Sequence, residues 1–330
     1  MTLDSDKASD YGSAIREGFD FLLTNYPEVF VIGQGLWSPW YVGNSMTDLD
    51  IKFGKDRILD TPVSESACTG LAVGSSIAGM RPIVVHPRMD FLLYGMDAVV
   101  NQAAKWSYMF GGQASAGFTL RTIINRGGEQ GAQHSQALHS WLAHIPGLRV
   151  VMPSTPRDAR DLLIASTLCD DPVVYIDDRW LYSKTEELGA VSENKLSSVG
   201  PRVTRIGRDV TLVGAGYSSS LCSLAAYELD KIGISSEVID LRVLNPFNPE
   251  EVIKSVEHTR RLLVVDGGWG NCGFAGEVLA SVVERVSIGT FKSPPKRLQL
   301  PNAPAPAASS LEKKYYPNLH DVIRVASELI

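Results

Sequence analysis

The sequence is short of cysteine and of net positive charge, and it has no long apolar run. Each shortage excludes something. The four cysteines, Cys68, Cys169, Cys222 and Cys272, stand far apart with no C-x-x-C pair, so neither a disulfide framework nor a zinc site is expected, and free thiols fit the reducing cytoplasm. A formal net charge of -6 without a basic cluster argues against nucleic acid or an anionic membrane as an obligatory partner. No apolar stretch approaches the ~20 residues of a membrane span. The opening MTLDSDKASDYG is polar and acidic, unlike a secretory or transit peptide. What is present is 330 residues, 44% of them hydrophobic, enough for about two domains with a sizeable core.

Strand and helix patterns alternate along the chain, the signature of two doubly wound α/β domains with mostly parallel sheets. A helix at 11–24 precedes a buried strand at 28–33. A helix over 65–80, packed through Gly and Ala, leads to a strand at 81–86, and 91–109 reads as one long helix. Strands at 120–125, 148–153 and 172–177 follow. Between the last two, Ser154 or Thr155 can cap a helix, Pro156 suits its first turn, and Asp158 has capping-box spacing from Thr155. The polar stretch KTEELGAVSENKLSSVGPR, about 184–202, reads as a linker. This divides the chain into residues 1–185, a linker at 186–203, and residues 204–330. The second block has strands at 210–215, 236–242 and 261–266, helices at 218–232, 249–258 and 274–286, then a Pro-rich segment and a terminal helix.

The second block contains a decoy. VTLVGAGYSSSL runs from a strand through Gly214-Ala215-Gly216 toward a helix, and Asp240 ends a later strand, which imitates a dinucleotide-binding fingerprint. The third small position is Ser219, however, and any tight strand-to-helix turn favours glycine. An NAD-dependent dehydrogenase is therefore only a distant alternative. DGGWGNCG likewise reads as a loop after a strand.

The first block is richer. The loop NRGGEQGAQHS (125–135) follows a strand, where open parallel sheets build their sites. Its glycines allow close backbone approach to a ligand, and His134 can exchange a proton near neutral pH. His139 and His144 follow at i+5 and i+10, a spacing that does not set three imidazoles on one helix face; they read as packing residues rather than metal ligands. Glu65 is the one charged side chain in VSESACTGLAVGSSIAGM (63–80). An acid in the first turn of a helix interacts favourably with the dipole by ~0.3–1 kcal/mol without any chemistry.

Taken together, these stretches carry a resemblance. TPVSE ending at Glu65, GLAVGSSIAGMRP, DFLLYGMDAVVNQAAKWSYMFGG, QHSQ, HIPGLRVVMPSTPRDARDLL, DPVVYID, VIDLRVLNPF and LLVVDGGW resemble the beta subunit of the thiamine-diphosphate-dependent decarboxylase component of 2-oxo acid dehydrogenase complexes, across nearly the whole chain. The resemblance implies a pyrimidine-binding N-terminal domain and a transketolase-like C-terminal domain. It implies that Glu65 touches the cofactor's aminopyrimidine, that Phe91 packs on that ring, and that His134 faces the substrate. A carboxyl on the ring nitrogen N1' favours the imino form that takes the C2 proton, and burial disfavours the charged form of such a carboxyl more strongly than a helix dipole favours it. The cofactor supplies the hard step.

The resemblance also implies what lies elsewhere. The diphosphate needs Mg2+, held in this family by a GDG motif that the sequence lacks; in two-chain members an alpha-type subunit carries it. A heterotetramer, active only when both chains are present, is expected, with a lipoyl acyltransferase as a further partner. Departures from the family shape the expectation too. Gln34 stands where an acid is common, which argues against proton coupling between two sites. The glycine loop before His134 is short. His86 and Arg88 in HPRMD make a basic substrate pocket, with Gln133 beside His134, suited to an altered or more anionic substrate. A two-chain transketolase-like carboligase, passing the group to an aldehyde, is the nearest alternative; a noncatalytic scaffold is another.

Overall fold

The computed structural model describes residues 8–330, which divide into two compact units: one formed by the chain up to Asn125 together with Trp141–Val199, the other by Arg126–Ser140 together with Gly200–Ile330. Among the described residues no helix is long and apolar enough to cross a membrane.

In the first unit the elements that place the site are α1 (Tyr11–Asn25), β1 (Val29–Gly33), β2 (Ile58–Asp60), α2 (Glu65–Ile77), β3 (Arg81–His86), β4 (Thr119–Ile124), β5 (Arg149–Val151), α3 (Pro156–Thr167) and β6 (Val173–Asp178). These six strands pair in parallel in the order β5-β6-β4-β3-β1-β2. Continuous apolar runs such as VFVIG and PIVV are buried at every position, as a sheet covered on both faces requires. Thr155 caps α3 by accepting from Asp158 N, with Pro156 in the first turn.

Two expectations are corrected here. Residues 91–109 do not form one regular helix: a 3-10 helix over Met89–Gly95 is followed by a π-helical stretch at Ala98–Ala103 and an α-helical one at Ala104–Met109. Apolar spacing alone does not separate these windings. The tight first segment brings Gly95 so close to α2 that a Cβ there would lie 2.6 Å from Thr69 Oγ1. The stretch read as a linker is also tied down. Thr185–Glu186 pairs antiparallel with Ser9–Asp10, Leu188 and Leu196 are buried, and the buried Arg160 guanidinium donates to the carbonyls of Leu188, Gly189 and Ala190. The polar composition concealed an anchor supplied from α3.

The second unit contains β7 (Arg202–Arg205), β8 (Val210–Gly214), α4 (Tyr217–Asp230), β9 (Ser236–Asp240), α5 (Glu250–Thr259), β10 (Leu262–Trp269), α6 (Phe274–Val283), β11 (Lys296–Leu300), α7 (Ser309–Tyr315) and α8 (Leu319–Ser327). Its sheet runs β7-β9-β8-β10-β11, with β7 antiparallel and the other pairings parallel. Val322, Val325, Ala326 and Leu329 recur at helical spacing and pack with Leu212, Leu221, Ala225 and Leu263 in one core. Burying each such Val or Leu side chain is worth about 1.5–3 kcal/mol.

Candidate active site

Glu65 opens α2, one short loop beyond the carboxyl end of β2. Thr61 N donates to Gly33 O at 2.9 Å, which ties that loop to the neighbouring strand β1. Ser64 occupies the cap position without making a side-chain cap bond, so the first-turn N–H groups leave a positive partial charge beside the acid. The Glu65 side chain is 7% exposed, yet among the described residues its carboxylate takes no hydrogen-bond or ion-pair partner. A buried carboxyl without a partner is costly.

Behind Glu65, Thr69 Oγ1 donates to Glu65 O at 2.7 Å and lies 2.9 Å from His86 Nε2 at the end of β3. With the hydroxyl proton committed to Glu65 O, the imidazole is the donor and carries its hydrogen on Nε2. Burial pushes the His86 pKa down to about 4. His86 is therefore neutral at pH 7. Arg88 follows at the mouth of the same strand, and Phe91, half-buried, lies in the 3-10 helix after it, its N–H donating to Arg88 O at 3.3 Å. Gln34, just after β1, donates from Nε2 to Tyr41 Oη at 3.3 Å while its buried Oε1 has no partner among the described residues.

The depressed His86 pKa makes a pH prediction. A histidine neutral in the fold but protonated when unfolded contributes stability that is fully present above about pH 6.5 and is lost as pH falls toward about 4. The loss is on the order of 3 kcal/mol. Urea denaturation of wild type and His86→Gln at pH 7 and pH 5 is expected to show a steeper fall for wild type; equal falls would refute it.

In the second unit the residues Arg126–Ser140 carry His134, which is half-buried, and Gln133, which is exposed. The loop is built on left-handed backbone, with Gly127, Gly128 and Gly131 at positive φ and Glu129 at 60°. His139, read as a packing residue, is buried but also polar in function: its Nε2 donates to Asp266 Oδ1 at 2.8 Å. Burial works to raise the Asp266 pKa, but His139 and the N–H groups of Gly268 and Ala275 outweigh it and hold the carboxyl below its usual range. His144 is also not gathered with the others; no three His, Cys, Asp or Glu side chains come together as a metal would need among the described residues. The dinucleotide decoy fails on geometry. Asp240, the acid that would face a ribose, is fully buried, with Arg202 Nη2 3.6 Å from its Oδ2, and a Cβ on Gly214 would strike the Ser218–Ser219 backbone at 2.7 Å, so this glycine serves a tight turn. Asp266 and Arg126 went unread because neither belongs to a local pattern; each acquires its partner across more than a hundred residues.

This architecture, two α/β units with an unpartnered buried acid at the head of a helix in one and a glycine-borne histidine in the other, is of the transketolase type. The pyrimidine-binding domain family of transketolase matches residues 7–184, and the C-terminal domain family of transketolase matches residues 201–322. A solved chain described as a split gene transketolase, inactive beta4 tetramer, superposes with a TM-score of 0.75 at 18% identity, covering 98% of each chain; that likeness is one of fold. Among curated relatives, the beta subunit of acetoin:2,6-dichlorophenolindophenol oxidoreductase from Cupriavidus necator is 36% identical, covering 95% of both chains. The mitochondrial pyruvate dehydrogenase E1 component subunit beta from Bos taurus is 34% identical over 94% of this chain and 87% of its own length, and the subunit beta-2 from Oryza sativa subsp. japonica is 34% identical over 95% and 84%. The chain belongs to the family of E1 beta subunits of thiamine-diphosphate-dependent 2-oxo acid dehydrogenases.

Proposed function

We propose that this chain is the beta subunit of a two-chain enzyme that decarboxylates a 2-oxo acid, and that Glu65 is the proton partner of the cofactor's aminopyrimidine. The observation that carries the proposal is the Glu65 carboxylate, buried at the start of α2 with no partner among the described residues. Ring nitrogen N1' is a basic acceptor that such a group can protonate and hydrogen-bond. When bound, thiamine diphosphate supplies the carbon nucleophile that the protein lacks. Glu65 would hold a proton at the pyrimidine nitrogen, Phe91 would offer an apolar face to the ring, and His134 would hold the substrate carboxylate or move a proton on the substrate side. Through the Glu65 carbonyl, Thr69 and His86 fix the first turn of α2.

The diphosphate and its Mg2+ fall to another chain. The sequence has no GDG motif and, among the described residues, no gathered ligand set; an alpha-type subunit carrying that motif would complete the site, with a lipoyl acyltransferase as acceptor. The exposed face of α2 suits close subunit contact. Ala67, Gly70, Leu71, Gly74 and Ala78 lie outward at helical spacing, and the space beside Gly70 and Gly74 is open. Small residues of this kind let helices approach closely, which suits the heterotetramer that the family resemblance implies.

The acetoin-linked relative, at 36% identity, supports a second reading in which the substrate is acetoin, an uncharged hydroxyketone. Isothermal titration of thiamine diphosphate with Mg2+ into the co-purified alpha-beta pair, and into the beta chain alone, is the test. Tight binding and turnover of pyruvate or acetoin are expected of the pair alone; equal binding by the isolated chain would refute a site shared with a partner.

A further inference from the structure

The stretch Asp266-Gly267-Gly268 has no part in the chemistry above, and from sequence it reads as a loop. Within the second unit it lies in β10 and meets both ends of the excursion that carries His134. At the leading end, Arg126 Nη1 donates to Gly267 O at 3.4 Å, and a Cβ on Gly267 would come within 2.4 Å of that nitrogen. At the trailing end His139 Nε2 meets Asp266 Oδ1 at 2.8 Å, and a Cβ on Gly268 would lie 2.9 Å from His139 Cε1. Consecutive glycines thus make room for two side chains that arrive from opposite ends of one loop. The loop between them is rich in left-handed glycines and has little stiffness of its own. Anchors at its two ends therefore bear directly on its orientation.

We propose that His139 and Asp266 form a latch that positions His134. The inference rests on the reading of His134 as a working residue. His139 Nδ1 is buried and has no partner among the described residues, so the shared proton is held on Nε2, aimed at the carboxylate. That carboxylate is itself fixed, accepting also from Gly268 N at 2.9 Å and from Ala275 N, at the start of α6, at 3.1 Å. A middle anchor works with the latch: Glu129 Oε1 accepts from Ser309 N at 3.0 Å, and Glu312 Oε2 accepts from Glu129 N at 3.1 Å. The C-terminal unit thereby sets where the histidine stands, and His139 and Asp266 are positioning residues.

The test uses the assembled alpha-beta pair, with pyruvate or acetoin as substrate and 2,6-dichlorophenolindophenol as electron acceptor. His139→Phe is expected to lower kcat/KM about 100-fold, the scale of a misplaced reacting group, with the affinity for thiamine diphosphate unchanged. His139→Gln, which keeps an N–H donor, is expected to recover most of the loss. In a His134→Ala background the same His139→Phe change should cost nothing further, because its whole effect runs through His134. If His139→Phe fails to assemble, Gly268→Ala, which pushes on the imidazole, enters the same cycle in its place. Wild-type kcat/KM for the latch variants, or a loss that persists undiminished beside His134→Ala, would overturn the latch alone. Normal turnover by His134→Ala would instead overturn the reading on which it rests, and the latch with it.

Discussion

Glu65→Gln in the alpha-beta pair is expected to cut kcat by about 10²–10⁴-fold, the range that a positioned proton-transfer group contributes, while thiamine diphosphate still binds. Glutamine keeps the size of the side chain and can still hydrogen-bond to N1', so the cofactor has its seat. It cannot share a proton with the ring. The first turn of α2 favours a negative charge by only ~0.3–1 kcal/mol, so losing the charge costs the helix little. Steady-state kinetics beside calorimetric cofactor affinity make the check. A large loss of affinity with kcat preserved would reassign Glu65 to binding.

The second large effect concerns the fold. Arg121 on β4 and Asp177 on β6 are both fully buried and meet at 2.8 Å. Arg121 also donates to Ser45 Oγ and to Tyr182 Oη, each at 2.9 Å, and Tyr182 donates to Asp177 Oδ2 at 2.7 Å. Burial opposes the charge on Arg121, but the Asp177 carboxylate more than offsets it, and the guanidinium holds its proton more tightly than usual. Removing one member leaves the other charge buried and uncompensated. Asp177→Ala is expected to cost about 3–5 kcal/mol of unfolding free energy, whereas replacing both residues together, as Arg121→Met with Asp177→Leu, should cost far less. Chemical denaturation of the three proteins decides it. A loss below about 1 kcal/mol for Asp177→Ala would mean that the pair is relaxed by water or by motion, as exposed pairs are.

These two sites differ in how far the sequence revealed them. Glu65 stands out as the one charge in a small, apolar run, but that position alone reads as an ordinary first-turn acid; the family resemblance is what marks it as a candidate. The strands were legible directly: VFVIG and PVVYID are continuous apolar runs of the right length. Arg121 gives no such signal. Its partners Ser45, Asp177 and Tyr182 lie far away along the chain, and an arginine in a β-strand is ordinarily read as an exposed edge or surface residue. The DGGW motif and the polar 184–202 stretch were missed alike, since each depends on a side chain delivered from another element: His139 and Arg126 in one case, Arg160 in the other. The mixed 3-10, π and α winding of 89–109 was beyond reach because all three place apolar residues three to five apart.

The central claim, that Glu65 is the proton partner of the aminopyrimidine, is tested most directly by the rate at which the C2 proton of thiamine diphosphate bound to the alpha-beta pair exchanges with deuterium, read by NMR after acid quenching. Exchange in the wild-type pair should be faster than in Glu65→Gln by about 10²–10⁴-fold. Equal rates in the two proteins, with cofactor bound in both, would contradict it.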